Sequence, residues 1–413
     1  MKKLSVVIAV VLIAALLLVA CATAPTPSAS SAAPASSAAP ASSAAAPASS
    51  AAASASVAAA SPSATASEMS AVDKQKASDV AIAKMQADAE AGIASGANKK
   101  IVIGYNAGTE SLEFFQDVYG GLKAAAAHYG VTLVYTDSEF DTTKIMSNVD
   151  SLMMQKAQMI IDFNVNSQVG GNIVDEVASK GGKGVIGIDV EYKSATSGTK
   201  SWFMGANNEI AGELCGQAIA DYATANKAGK LDKLVLFWNS ENGDEVKKRM
   251  GGAIVGLASK GINLTTDQIV WIDMGGGGSD TTVAAKDKFT NWLTANPDAH
   301  SVGVVAVNDE SMQGVLAAAE TTGRTDDCIL AAHNVGANYT AEVQNNGPAI
   351  WVGDVAYYPE KYGDYLIPMA IAIINGTASD PSLNITMNHI MVTRDMVPDY
   401  MKNLTAVRDS WKK

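Results

Sequence analysis

The chain has 413 residues, of which 48% are hydrophobic and 6% aromatic, enough to bury one large core or two ordinary ones. Its 30 Lys+Arg stand against 42 Asp+Glu, a formal charge of -12, which argues against the phosphate-backbone contacts of a nucleic-acid binder, so no nucleic-acid partner is expected.

Lys2 and Lys3 precede an apolar run from Val6 to Val19, and Leu18-Val19-Ala20-Cys21 then reads as a bacterial lipobox, cut before a cysteine that takes lipid. At about 15 residues the run is short for a bilayer span. Residues 1–20 are therefore expected to be a signal peptide. Cys21 would be the lipidated residue, anchoring an otherwise soluble protein to the extracytoplasmic face of the bacterial cell membrane. Residues 21–67 continue almost only in Ala, Ser, Pro and Thr, without a charge, and hold half of the chain's 12 prolines. Such a composition cannot offset the entropy of folding and reads as an extended tether. In residues 68–97, Val72, Val80, Ala83 and Ala87 stand among alternating charges, a thin apolar face that reads as a solvated helical spacer.

From Asn98 the pattern is strand, turn, helix, repeated. Strands are expected at 101–105, 131–136, 159–163 and 184–188, with helices from Phe114 through His128 and over 143–155 and 170–179. After Trp202-Phe203-Met204-Gly205 the alternation begins again. Helices are read at 210–222, 245–258, 281–294, after Asp309, around 339–344 and over 360–374. Strands are read at 234–238, 269–272, 302–307, 329–332, 350–355 and 389–392. Apolar strands alternating with helices imply right-handed βαβ units, and about ten of them exceed one ordinary sheet. The expected fold class is α/β, two Rossmann-like lobes with parallel sheets joined by a three-strand hinge, with the ligand in the interlobe cleft. The first lobe is placed at 98–206 plus 358–386 and the second at 207–357 plus 387–400.

The strand Val302–Val307 stops at Asn308-Asp309, where an open α/β sheet binds ligands. An amide both donates and accepts, so Asn308 is read as a ligand contact, and Asp309 as the cap of the helix that it opens. Cys215 and Cys328 stand in apolar surroundings with no Cys or His at ligand spacing, which points to buried free thiols and no metal. The run Gly275 to Gly278 lacks both phosphate-binding patterns, so it reads as a flexible cleft-rim loop, and no cofactor is expected.

Several segments together resemble the type I periplasmic binding proteins, the ribose- and galactose-binding family that delivers sugars to ABC importers. They are Phe114-Phe115, Thr136-Asp137-Ser138, Val185-Ile186-Gly187-Ile188-Asp189, Gly205 to Gly212, Trp292 to Asp298 and Asn308-Asp309-Glu310, spread over about Lys100 to Val397. The resemblance implies an aromatic face at Phe114 and Phe115 for a sugar ring and a carboxylate at Asp189 for its hydroxyls. Asn106, at the end of the first strand, joins the candidates. Where the ribose pattern has an arginine, a helix here has Lys247, and Val190 follows Asp189 where another is found. Asn334 and Tyr357 stand for an aspartate and a glutamine. Trp238 and Phe163 offer replacement stacking surfaces.

The expected protein is thus a monomeric, lipid-anchored solute-binding protein that closes on a small carbohydrate and delivers it to an ABC permease. A nucleoside-binding lipoprotein and a ligand-sensing receptor of the same fold are the alternatives. An enzymatic reading, with Asp189 and Asp309 as a glycosidase pair, finds no supporting constellation, and the chain is read as no enzyme.

Overall fold

The structure, a computed structural model, describes residues 69–412 except 165–166, 276–280, 379 and 381. The lipobox with Cys21, the tether and Gly276 to Gly278 lie outside the described residues. No helix among those described is long and apolar enough to cross a membrane.

The described chain opens with α1 (Ala71–Ser95), started by the Ser70 hydroxyl accepting from Asp73 N and stopped by Gly96 at φ 72. Three βα units follow, β1 (Val102–Ala107) with α2 (Glu113–Tyr129), β2 (Thr132–Asp137) with α3 (Thr142–Met154) and β3 (Met159–Asp162) with α4 (Ser167–Ser179), then the strands β4 (Val185–Ile188) and β5 (Trp202–Ala206). Next come α5 (Asn208–Asn226), β6 (Lys233–Trp238), α6 (Asp244–Ser259), β7 (Ile269–Asp273), α7 (Thr281–Ala295), β8 (Val302–Ala306), α8 (Asp309–Thr321), β9 (Cys328–Asn334), α9 (Ala337–Gln344) and β10 (Trp351–Ala356). The chain ends with α10 (Tyr362–Ile374), β11 (Ile385–Met387), β12 (Met391–Thr393) and α11 (Val397–Ser410).

The strands form two sheets, ordered β11-β5-β4-β3-β1-β2 and β12-β10-β9-β8-β6-β7. Pairing is parallel throughout except between β10 and β12. Burial follows from position: β8, between β9 and β6, is buried along its whole length, which is why its residues are uniformly apolar, whereas the edge strand β2 is only partly covered. Helices cover both faces of each sheet. One face of the first packs on α2, α10 and α1 and the other on α3 and α4; one face of the second packs on α7, α8 and α11 and the other on α5 and α6. The molecule is two α/β lobes with mostly parallel sheets.

The chain passes between the sheets three times: after β5 at Asn207, after β10 at Tyr357, and between β11 and β12 at Asn388-His389. His389 ties these passages together. Its Nε2 accepts from Asn207 N at 3.0 Å and its Nδ1 donates to Ala356 O at 2.9 Å. Burial pushes its pKa down to about 4, so the ring is neutral and keeps this acceptor at neutral pH. A histidine with a depressed folded pKa contributes its full stability above about pH 6.5 and loses it as the pH falls toward 4, up to about 3 kcal/mol. Buried acids such as Asp162, pushed up to about 6 by burial, act with the opposite sign, so the comparison must be made between chains. His389→Gln should show a smaller drop in melting temperature between pH 7 and pH 4.5 than the unmodified protein; equal drops would refute the assignment.

Two terminal helices depart from the sequence reading. The spacer expected at 68–97 is instead packed against the first lobe, with Ile82 and Ala89 in its core and Asn98 Nδ2 donating to Ala89 O and Tyr129 O. Much of its contact is polar, which hydropathy does not register. The helix α11 runs past residue 400. Val397, Tyr400 and Leu404 pack in the second-lobe core, and Arg408 reaches α2 of the first lobe, donating from Nε to Asp117 Oδ1 at 2.7 Å and pairing with Glu113 at 2.5 Å.

Candidate functional site

Between the carboxyl ends of the two sets of strands lies a cavity of about 210 Å³. Its first-lobe wall is aromatic. Phe114 and Phe115 open α2, Phe140 comes from the loop after β2 and Phe163 follows β3. Phe115 and Phe163 have ring centres 4.4 Å apart, and Phe140 meets Phe115 edge-on at 5.4 Å. Gly108 makes room for this cluster, since a Cβ there would lie 2.7 Å from Phe163 O and 2.8 Å from two of the rings. Phe115 and Phe163 are buried, so they support the wall, while the half-buried Phe114 also packs against the second-lobe cluster that holds Tyr357. Phe114 is thus the cavity-lining phenylalanine of α2 that keeps part of its ring exposed.

Asp189 stands at the end of β4 with φ 57, a left-handed conformation that Asp and Asn tolerate better than other side chains. Its Oδ1 accepts from Ala206 N at 2.8 Å and its Oδ2 from the Tyr362 hydroxyl at 3.3 Å. Burial raises its pKa, opposed by the Ala206 bond and by the charge of Arg249. The carboxylate is thus fixed beside the first passage between the sheets and partly committed to bonds within the protein.

The second-lobe wall is polar: Asn239, Asn242, Arg249, Asn308, Glu310, His333 and Asn334 line it, with Tyr357 from the passage after β10. Arg249 is held by Nε to Asn208 Oδ1 at 2.9 Å and Nη1 to Val307 O at 2.6 Å, and its guanidinium lies 4.8 Å from the centre of the Tyr357 ring. His333 is buried, and desolvation lowers its pKa far below the usual value, so it enters the wall as a neutral ring.

Seven of the residues expected from the sequence are brought together here: Phe114, Phe115, Phe163, Asp189, Asn308, Asn334 and Tyr357. Three are not. Asn106 is buried beneath the wall, its Nδ2 donating to Asp162 Oδ1 at 2.7 Å and its Oδ1 accepting from Thr136 and Asn148. Trp238 packs edge-on against Trp271 and on the second-lobe core rather than lining the cavity. Lys247 is exposed. On a helix two residues turn about 200°, so the inward face of α6 carries Val246 and Arg249, and Arg249 supplies the cation sought at Lys247.

The cap of α8 is Asn308 and not Asp309. The Asn308 side-chain oxygen caps α8, accepting from Ser311 N at 3.0 Å, while Asp309 is buried and accepts from Asn334 Nδ2 at 3.1 Å. Desolvation, together with the charge of Glu310, raises the Asp309 pKa far above the carboxylate range. What remains for a ligand is the Asn308 amide nitrogen and the Asn334 oxygen. Cys215 and Cys328 are buried free thiols, and no cluster of metal-ligating side chains occurs among the described residues.

Residues 103–378 match the periplasmic binding protein domain. The chain belongs to that family. The ribose import binding protein of Escherichia coli is 24% identical over 284 residues, covering 69% of this chain and 88% of the relative. Among solved structures, an ABC transporter solute-binding protein of Actinobacillus succinogenes with bound D-allose superposes with a TM-score of 0.59 at 20% identity, covering 73% of this chain and all of that one. The Caulobacter myo-inositol binding protein, bound to myo-inositol, gives 0.57 at 18%, covering 72% and 95%. These relatives are solute-binding proteins rather than enzymes, so the glycosidase reading of Asp189 and Asp309 falls away in this binding protein.

Proposed function

We propose that this binding protein captures a monosaccharide or polyol between its lobes by hinge closure and hands it to an ABC importer, held at the membrane through lipid on Cys21. The observation that carries the proposal is a half-buried aromatic ring, Phe114, set around one small cavity with a group of polar side chains, Asp189 from the first lobe and Arg249, Asn308 and Asn334 from the second. A sugar or cyclitol presents C–H faces to the one and hydroxyls to the other. The relatives named for ribose, allose and myo-inositol support the same class. Ligand held by both walls stabilises the closed arrangement by its differential affinity.

A thermal-shift screen of the purified protein against monosaccharides, cyclitols and nucleosides tests this reading. A solute at 100 times its Kd should add about 2.7 kcal/mol of stability. Shifts confined to nucleosides would favour the base-stacking alternative, and no shift with any sugar or cyclitol would sink the proposal. Asp189→Asn sharpens the test, because asparagine keeps the oxygen that accepts from Ala206 N and tolerates the positive φ. With the charge gone, affinity should fall roughly tenfold to hundredfold while the ligand-free melting stays near that of the parent. Equal losses of both would make Asp189 a purely structural residue.

A further inference from the structure

The helix α1 precedes the region matched to the family, yet its first turns lie on the hinge. Gln75 is buried and makes four hydrogen bonds. Its Nε2 donates to Thr386 O at 2.9 Å and to Asp79 Oδ1 at 3.0 Å, and its Oε1 accepts from Thr386 Oγ1 at 2.9 Å and from Asn207 Nδ2 at 3.0 Å. Ser78, fully buried, accepts from Thr386 N at 2.8 Å through Oγ and donates to Thr386 O at 3.3 Å. Asp79 accepts from Asn388 Nδ2 at 3.0 Å, and Lys74 pairs with Glu209 of α5 at 3.5 Å. Asn207 belongs to the first passage between the lobes, and Thr386 and Asn388 to the third. One helix face therefore bonds to two of the three passages and reaches the second lobe.

The rest of the helix is anchored in the first lobe. Ile82 and Ala89 are in its core, and Gln86 Nε2 donates to Asp364 O of α10 at 3.0 Å. Such a helix cannot follow both lobes if the angle between them changes, because its carboxyl-terminal half is fixed to one lobe while Gln75 and Lys74 hold groups that lead into the other. Buried polar groups are costly when unsatisfied, so each bond lost on reorientation must be remade or forfeited.

We propose that α1 is a hinge brace: Gln75 and Ser78 hold the Asn207 and Thr386 passages in the geometry of this structure and so set the balance between open and closed lobes. The inference rests on the hinge-closure reading above. It adds that the balance is set partly from outside the cleft, by the segment through which the chain enters the folded domain.

The test uses the full chain with Cys21→Ser and spin labels at Lys183→Cys and Lys260→Cys, exposed positions on the first and second lobes; the native Cys215 and Cys328 are buried. Interlobe distances are measured by pulsed electron resonance without ligand. Gln75→Met keeps the volume and removes the four hydrogen bonds. The ratio of open to closed populations should shift roughly twofold to tenfold, the span of one or two net hydrogen bonds. Superimposable distributions from a folded Gln75→Met chain would overturn the proposal, as would a fall in melting temperature alone. If that chain does not fold, Ser78→Ala removes only the Thr386 bonds and is judged in the same way. An unmodified chain with one narrow distribution that no sugar or cyclitol displaces would end both the hinge reading and the brace, whereas lobe motion that the variants leave unaltered would end the brace alone.

Discussion

Arg249→Ala is expected to remove the ligand-induced rise in melting temperature and weaken binding about a hundredfold or more, the equivalent of about 3 kcal/mol. The guanidinium is already fixed before ligand binds, by Asn208 and Val307 O and over the face of Tyr357. Its remaining donors therefore meet a solute without the entropy cost of ordering a long side chain. It is also the cation that faces Asp189. Its removal takes the opposing charge from that carboxylate and a donor from the Val307 carbonyl, which adds to the loss of ligand contacts. Arg249→Lys keeps the charge and loses the fork, so it should recover only part of the affinity. Lys247→Ala is the control: it lies on the solvent face of the same helix and should change affinity by no more than about twofold. Titration calorimetry with a sugar from the thermal screen reads all three, and parental binding by Arg249→Ala would remove Arg249 from the site.

Gly216→Ala is expected to cost about 3 kcal/mol or more, although alanine is the better helix former. The reason is the seam between α5 and α6. A Cβ on Gly212 would come within 1.9 Å of Arg249 O, on Gly216 within 2.1 Å of Ala253 O, on Gly252 within 2.3 Å of Glu209 O and on Gly256 within 2.1 Å of Glu213 O. In each case the obstacle is backbone, so no side-chain rotation relieves it and the helices must separate. Gly251 points to open space, and Gly251→Ala should stabilise by about 0.5–1 kcal/mol. Melting temperatures of the two variants should therefore move in opposite directions, and a shift of the same sign in both would contradict this packing account. Because the seam also positions Arg249, Gly216→Ala should weaken ligand binding without touching the cavity.

The βα alternation was legible because buried parallel strands must be apolar throughout and their helices must be amphipathic. The end of β4 at Asp189 was legible for the same reason, since a carboxylate there has nothing apolar to gain. The cap of α8 is read from the sequence at Asp309 and stands at Asn308, because both are good helix caps and only the direction of the chain leaving β8 decides which one turns its oxygen to Ser311 N. Arg249 was missed by two residues, since counting along a resemblance does not register the 100° step that sets a helix face. Phe140 carries no signal at all; it sits in a loop whose φ of 58 no periodicity encodes. The strand β11, three residues long, is too short for any period, and the docking of α1 depends on hydrogen bonds to Thr386 and Asn207 that an apolar pattern cannot foretell.

The last 29 residues supply the outermost strand of each sheet: β11 lies beside β5 and β12 beside β10. Neither sheet is therefore complete until residues 385–393 have been synthesised, and until then β5 and β10 are the edges. The brace contact between Ser78 and Thr386 closes a separation of 308 residues, so it belongs to the last events of assembly. Until then the open edges of β5 and β10 are templates for wrong pairing with another chain. A protein shortened by even this small fraction of its length would carry that hazard permanently.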